Sequence, residues 1–152
     1  FWTAALRPAA YAFGTNSSLA TIPVTLHALD ELKIPKSASR LATCIGTNFN
    51  NDGILLYEAV AVLFVAQAFG IELSLGEQLF AASLALMAAI GVAGVPEAGV
   101  VSLSLVLSAV GLPLEILPLL LTVDWIVARM RSVVNVMSDM TVSIAVDSLE
   151  RG

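Results

Sequence analysis

Between residues 79 and 112 the chain reads LFAASLALMAAIGVAGVPEAGVVSLSLVLSAVGL, a run whose single charged residue, Glu97, follows Pro96 near its centre. A membrane-spanning helix needs about 20 apolar residues. This run is longer, yet GVAGVPEAG interrupts it with residues that weaken or break a helix. Each half is too short to cross a bilayer, so the pair predicts a re-entrant hairpin with its tip at mid-membrane. The N-terminal part repeats the plan: AALRPAAYAF, a polar break GTNSSLAT, then IPVTLHAL. Irregular backbone at membrane depth is tolerated only where protein buries it or it lines a cavity. Two such interrupted segments point to a transporter's binding site.

Composition supports lipid as the solvent. The chain is 58% hydrophobic and 12% charged, against about 25% charged in a soluble domain. A net charge of −5 without a basic run excludes nucleic acid as a partner. The lone Cys44 excludes an intrachain disulfide or a Cys-only zinc site, and reads as a small buried apolar residue. Residue 1 is Phe, and FWTAALRPAAYAF has neither the charged start nor the cleavage site of a signal peptide. The chain therefore reads as an internal or C-terminal piece of something longer.

Two further apolar segments complete the organisation. ILLYEAVAVLFVAQAFGIEL (54 to 73) has the length of a span, and LPLLLTVDWIVARMRSVVNVMSDMTVSIAV (117 to 146) is longer. The expected fold is an all-α membrane protein with an inverted-repeat transporter core: two re-entrant helical hairpins (1–30 and 77–113) and two transmembrane helices, one of them broken (40–73 and 117–147). Lys33, Lys36 and Arg40 fall in the polar loop 27–40, Arg7 precedes the first hairpin tip, and Arg151 is near the end. Placing that loop and the C-terminus in the cytoplasm puts every Lys and Arg outside the membrane segments on the inner side.

Polar residues at membrane depth are functional candidates by default. In DWIVARMRSVVNVMSD, Asp124, Arg131, Asn135 and Asp139 recur at spacings of seven, four and four. At about 100° per residue these four and Ala128 share one helical stripe, and Arg129 lies off it. In NFNNDG, residues 48 to 53, the side chains of Asn48, Asn50, Asn51 and Asp52 and any freed carbonyls are oxygen ligands suited to a hard cation. The alternative is an N-cap at Asn51 or Asp52 that starts a helix at Gly53. Glu58 lies about a turn and a half further on. A serine-type intramembrane enzyme is disfavoured: the only His, His27, belongs to the polar loop region, and no GxSxG elbow exists. A purely structural or channel-like bundle accounts for the hydrophobicity but not for paired broken hairpins with a buried Arg and acids.

Four motifs carry a resemblance. NFNNDGILLYEAVAVLFVAQ resembles the "NMDGT…YEA…AQ" segment of the dicarboxylate/amino acid:cation symporter family, which includes the glutamate transporters. TNSSLATIPVT is similar to that family's serine-rich first hairpin, AAIGVAGVPEAGV to its second hairpin tip, and DWIVARMRSVVNVMSD to its last helix. The motifs occur in the family's order over nearly the whole chain. The resemblance implies a non-enzymatic integral plasma-membrane symporter (the cell inner membrane, if bacterial) that assembles as a homotrimer. This chain would be the C-terminal part of its mobile transport domain, with the N-terminal scaffold helices absent. No cofactor is implied beyond sodium ions or protons as coupling ions, and the partners are a small dicarboxylate or amino acid and the lipid bilayer.

Carried over position by position, the resemblance implies that the Asp139 carboxylate serves one sodium site with carbonyls of Gly46, Asn50 and Asn135. Asn50 and Asp52 serve a second, deeper site beside Asn51. A third draws on backbone around Asn48, Ala89, Ile90 and Val92. Arg131 grips the distal carboxylate of an acidic substrate, a role suited to its bidentate fork. Asn135, Ser132, Asn16 and Ser18 hold the other carboxylate, Gly94 to Gly99 close as a gate, and Glu58 is the proton-coupling candidate. Three positions depart from the pattern. Ala128 stands where amino-acid carriers place an Asp, Ile54 where the motif has Thr, and Glu97 where a small or neutral residue is usual. Ala128 favours a substrate without an amine, so a C4-dicarboxylate is expected, with a sodium-coupled amino acid as the alternative.

Overall fold

The computed structural model describes residues 1–91 and 98–151. The helices in chain order are α1 (Trp2–Thr15), α2 (Ser18–Glu31), α3 (Lys36–Arg40), a π-helical turn (Leu41–Ile45), α4 (Gly46–Phe49), α5 (Asp52–Ala68), α6 (Leu75–Gly91), α7 (Ala98–Ala109), a 3-10 turn (Leu114–Ile116) and α8 (Leu117–Arg151). Among the described residues there is no strand, as expected for an all-α chain. Among the described residues one helical run, Lys36–Ala68, is long and apolar enough to cross a membrane. The 35 residues of α8 would reach about 52 Å at 1.5 Å per residue, but Asp124, Arg129 and Arg131 interrupt its apolar first half. The chain divides into two compact units, Phe1–Gly53 with Ala128 onward, and Ile54–Val127.

In the first unit the break between α1 and α2 is tighter than the eight residues of GTNSSLAT. Asn16 takes the left-handed conformation (φ 53°) that ends α1, a conformation Asn tolerates better than most residues. Ser17 then caps α2, its hydroxyl accepting from the Ala20 N–H at 3.1 Å. Two residues therefore suffice to return the chain, and α2 packs on α1. The unit's apolar core gathers Ala5, Ala28, Leu29, Ile34, Ala38 and Met140, with small residues at the helix contacts.

The segment from Lys36 to Phe49 buries Ser39, Ala42, Thr43 and Thr47 and turns Leu41, Cys44, Ile45 and Asn48 outward. Cys44 is therefore exposed, not a buried core residue. The reason is helical phase: residue 44 shares its face with the outward Leu41 and Asn48, three residues before it and four after it.

The second unit is built on Ala61, Val62, Val65, Ala66, Ala81, Ala85, Leu103, Val106, Leu107 and Leu112, and α6 packs on α7. Ser74 and Glu77 form a capping box at the start of α6. The Glu77 carboxylate accepts from the Ser74 N–H at 2.8 Å and its hydroxyl at 2.7 Å, while the Ser74 hydroxyl accepts from the Glu77 N–H at 3.3 Å. Most of the GVAGVPEAG tip, with Val92, Gly94 and Glu97, lies outside the described residues.

Candidate functional site

The polar stripe of α8 faces inward. Asp124 (7% exposed), Arg131 (8%), Asn135 (5%) and Asp139 (1%) are all buried, and the series continues through Ser143 and Asp147. Leu119, Leu121, Val123, Trp125, Met130, Val134 and Val142 are exposed on the same helix. A water-exposed helix places its polar residues outward and its apolar ones inward. This distribution is the reverse, and it suits a helix whose outer face meets an apolar environment. Ala128 and Arg129 are half-buried.

Within the first unit, α8 meets the broken segment NFNNDG through a continuous hydrogen-bond network. The α4 helix ends at Asn50, where the backbone leaves the helical region (φ −97°, ψ 72°), and α5 begins at Asp52. The break turns the Asn50 amide toward α8, where Nδ2 donates to Asp139 Oδ1 at 2.9 Å. Thr47 Oγ1 lies 3.3 Å from Asp139 Oδ2 and donates to the Thr43 carbonyl at 2.6 Å. Ser138 Oγ donates toward Asp52 Oδ2 at 2.5 Å and lies 3.2 Å from Asn50 Oδ1. The Gly53 N–H donates to Asn135 Oδ1 at 2.7 Å, and Asn135 Nδ2 reaches Asn51 Oδ1 at 3.5 Å. Asn51 Nδ2 closes the break onto the Asn48 carbonyl at 3.3 Å. The start of α5 at Asp52, one residue before Gly53, thus has one of its orphan amides capped by a side chain from another helix.

Two glycines permit this approach. A Cβ on Gly46 would lie 2.6 Å from Asp139 Oδ1. A Cβ on Gly53 would lie 2.7 Å from the Cα of Arg131 and 2.9 Å from its carbonyl carbon. Gly46 therefore leaves its own Cα surface as the wall beside the carboxylate, and Gly53 seats the start of α5 directly on the backbone of Arg131.

The structure thus brings Gly46, Asn48, Asn50, Asn51, Asp52, Asn135 and Asp139 into one network, rich in oxygen atoms. Ser132 Oγ reaches Asn16 Oδ1 at 3.4 Å and bonds back to the Ala128 carbonyl at 3.2 Å, which joins the first hairpin turn to α8. Ser18 is half-buried at the first residue of α2. In the second unit Glu58 is fully buried and accepts a short hydrogen bond from Ser102 Oγ, whose hydroxyl also lies 3.4 Å from the Gly99 carbonyl. Ile54 is half-buried, Ala89 is buried and Ile90 is exposed near the end of α6. Thr47, Ser102 and Ser138 are not among the residues the sequence singles out. Thr47 sits beside NFNNDG and Ser138 within DWIVARMRSVVNVMSD, next to Asp139, which are the signals that could find them; Ser102 lies among apolar residues with no local motif.

Oxygens from amides, hydroxyls, carbonyls and two carboxylates suit a hard cation. Among the described residues no three His, Cys, Asp and Glu side chains come together as a metal-binding group.

Comparison with known proteins places the chain. The model of the sodium:dicarboxylate symporter family matches residues 1–149. The chain is 44% identical over 129 residues to an excitatory amino acid transporter of Caenorhabditis elegans, covering 84% of this chain and 26% of that protein. It is 46% identical over 129 residues to excitatory amino acid transporter 2 of Homo sapiens, covering 84% and 22%. Excitatory amino acid transporter 1 of Ambystoma tigrinum is 40% identical over 141 residues, covering 92% and 26%. The chain thus spans about a quarter of the length of these relatives. It belongs to the sodium:dicarboxylate symporter family.

Proposed function

We propose that the protein carrying this chain is a secondary active symporter that couples the entry of an acidic amino acid to sodium. The observation that carries the reading is the buried polar face of α8, where Arg131, Asn135 and Asp139 stand in sequence against the break at Asn50–Asp52. A permanently charged guanidinium at such a place suits a substrate carboxylate. The carboxylates and amides one and two turns further along suit the coupling cation. The names of the relatives favour an amino acid over the dicarboxylate expected from Ala128.

The dicarboxylate remains a second reading because of that one residue. An ammonium group held in a dry site needs a counter-charge, and Ala128 offers a methyl group. In either case Asn16, Ser18, Ser132 and Asn135 hold the second carboxylate, with Gly94 to Gly99 as the gate. The sodium ions use Gly46, Asn50, Asn135 and Asp139 at one site, Asn50, Asn51 and Asp52 at a deeper one, and Asn48, Ala89, Ile90 and Val92 at a third. Glu58 serves as the proton-coupling group.

The same reading makes α1–α2 and α6–α7 re-entrant hairpins, 40–73 and 117–147 the spanning helices, and the whole a C-terminal transport-domain segment. It further places residues 27–40 and the C-terminus in the cytoplasm of a plasma-membrane homotrimer. Uptake by the full-length protein in sealed vesicles tests it. Accumulation of labelled aspartate or glutamate driven by an inward sodium gradient, and abolished by replacing sodium with potassium, is expected. Uptake indifferent to the sodium gradient contradicts it.

A further inference from the structure

Ser138 stands out among the hydroxyls of α8. A serine or threonine inside a helix commonly bonds back to the carbonyl four residues earlier, and Ser132, Thr141 and Ser143 do so here at 3.2, 2.9 and 2.8 Å. Ser138 instead turns across to the broken segment, with its Oγ 2.5 Å from Asp52 Oδ2 and 3.2 Å from Asn50 Oδ1. The Asn50 amide nitrogen is already committed to Asp139 Oδ1 at 2.9 Å. An ionised Asp52 has no proton to give. Three oxygens therefore face one another with a single hydrogen, that of the Ser138 hydroxyl, among them. The shorter contact, to the charged carboxylate, takes that hydrogen. Asn50 Oδ1 is left opposite an oxygen lone pair.

Such a convergence lacks positive charge, and a hard cation supplies it with oxygens of the right type. One carboxylate, one amide carbonyl and one hydroxyl carry a single formal negative charge, which matches a monovalent ion. Asn50 and Ser138 are half-buried.

We propose that Ser138 is a cation-binding residue: its hydroxyl oxygen joins Asn50 Oδ1 and Asp52 Oδ2 as a third ligand of the deeper sodium site and strengthens its hold on the ion. This rests on the sodium-coupled reading above.

The test uses the purified full-length protein, with thermal unfolding followed across a titration of sodium chloride and of potassium chloride as control, in the absence of organic substrate. Ser138→Ala is expected to raise the sodium concentration giving half-maximal stabilisation roughly five- to tenfold, the effect of losing one contact to an ion. Ser138→Thr, which keeps the hydroxyl, returns it to within about twofold of the unsubstituted protein by the same arithmetic. Should Ser138→Ala fail to fold, Ser138→Cys replaces the hard oxygen with soft sulfur at similar volume and carries the same expected shift. Asp139→Asn separates the two claims. A shifted titration in Asp139→Asn with an unaltered one in Ser138→Ala, or in Ser138→Cys, overturns the role of Ser138 and leaves sodium coupling standing. No stabilisation of the unsubstituted protein by sodium beyond that by potassium overturns both.

Discussion

The Cα of Gly53, one residue into α5, rests against the backbone of Arg131 on α8 so closely that a Cβ at Gly53 would come within 2.7 Å of the Arg131 Cα. The neighbour is main chain, so it cannot rotate away as a side chain would. Gly53→Ala must displace the start of α5 or the Arg131 backbone. A loss of about 1–3 kcal/mol of stability is expected, the usual cost of overpacking. Gly14, on α1, has nothing within 4 Å of where a Cβ would stand. Gly14→Ala should therefore be neutral or gain up to about 1 kcal/mol from helix propensity. Thermal unfolding of the two variants side by side checks the contrast; equal effects would remove the close approach from the account.

Asn135 joins the start of α5 to α8 by accepting from the Gly53 N–H at 2.7 Å and reaching Asn51 with its amide nitrogen. Asn135→Ala leaves a buried N–H without its cap, at a cost of about 1–2 kcal/mol. Asn135→Asp keeps the acceptor but sets a carboxylate oxygen against Asn51 Oδ1. Loss of stability in both variants, read by thermal unfolding, is the expected result. A stable Asn135→Ala protein would show that Asn135 does not hold the two helices together.

How much of this network the sequence reveals depends on the range of the interaction. The α8 stripe was legible because burial of Asp124, Arg131, Asn135 and Asp139 follows helical period, which is local. NFNNDG was legible as a break because three Asn and a Gly interrupt an apolar run. The pairing of Asn50 with Asp139 and of Ser138 with Asp52 was not, since these contacts join residues nearly ninety positions apart and no spacing rule reaches that far. Cys44 was misplaced because composition says how often a cysteine is buried, whereas the phase of its own helix turned it outward. The first break is shorter than its polar run because residues such as Ser18 and Thr21 continue a helix readily once Asn16 and Ser17 have made the turn.

Glu58 and Ser102 form a buried pair within the second unit. If Glu58 carries the coupled proton, Glu58→Gln fixes a neutral, isosteric side chain there and uptake should lose its dependence on pH. Ser102→Ala removes the hydroxyl donor, and the pH dependence should shift without disappearing. Uptake measured as a function of pH checks both. An unchanged profile in Glu58→Gln would assign the pair a structural role.

Ala128 separates the two substrate readings. Competition between aspartate and succinate for uptake by the full-length protein should favour aspartate if the relatives' chemistry holds. Introducing a carboxylate by Ala128→Asp should then raise the aspartate preference further, by roughly tenfold or more for a counter-charge placed beside an ammonium group. Succinate outcompeting aspartate in the unsubstituted protein would return the dicarboxylate reading to first place.

The central claim is that the junction of α8 with the break at Asn50 binds the coupling ion through Asp139, the most deeply buried carboxylate of that junction. The direct measurement is the sodium dependence of initial uptake rates by the full-length protein in vesicles, with and without Asp139→Asn. The account predicts that the neutral amide raises the half-saturating sodium concentration by about tenfold or more, as loss of the charged ligand of a hard cation should. The same half-saturation in both proteins would contradict it.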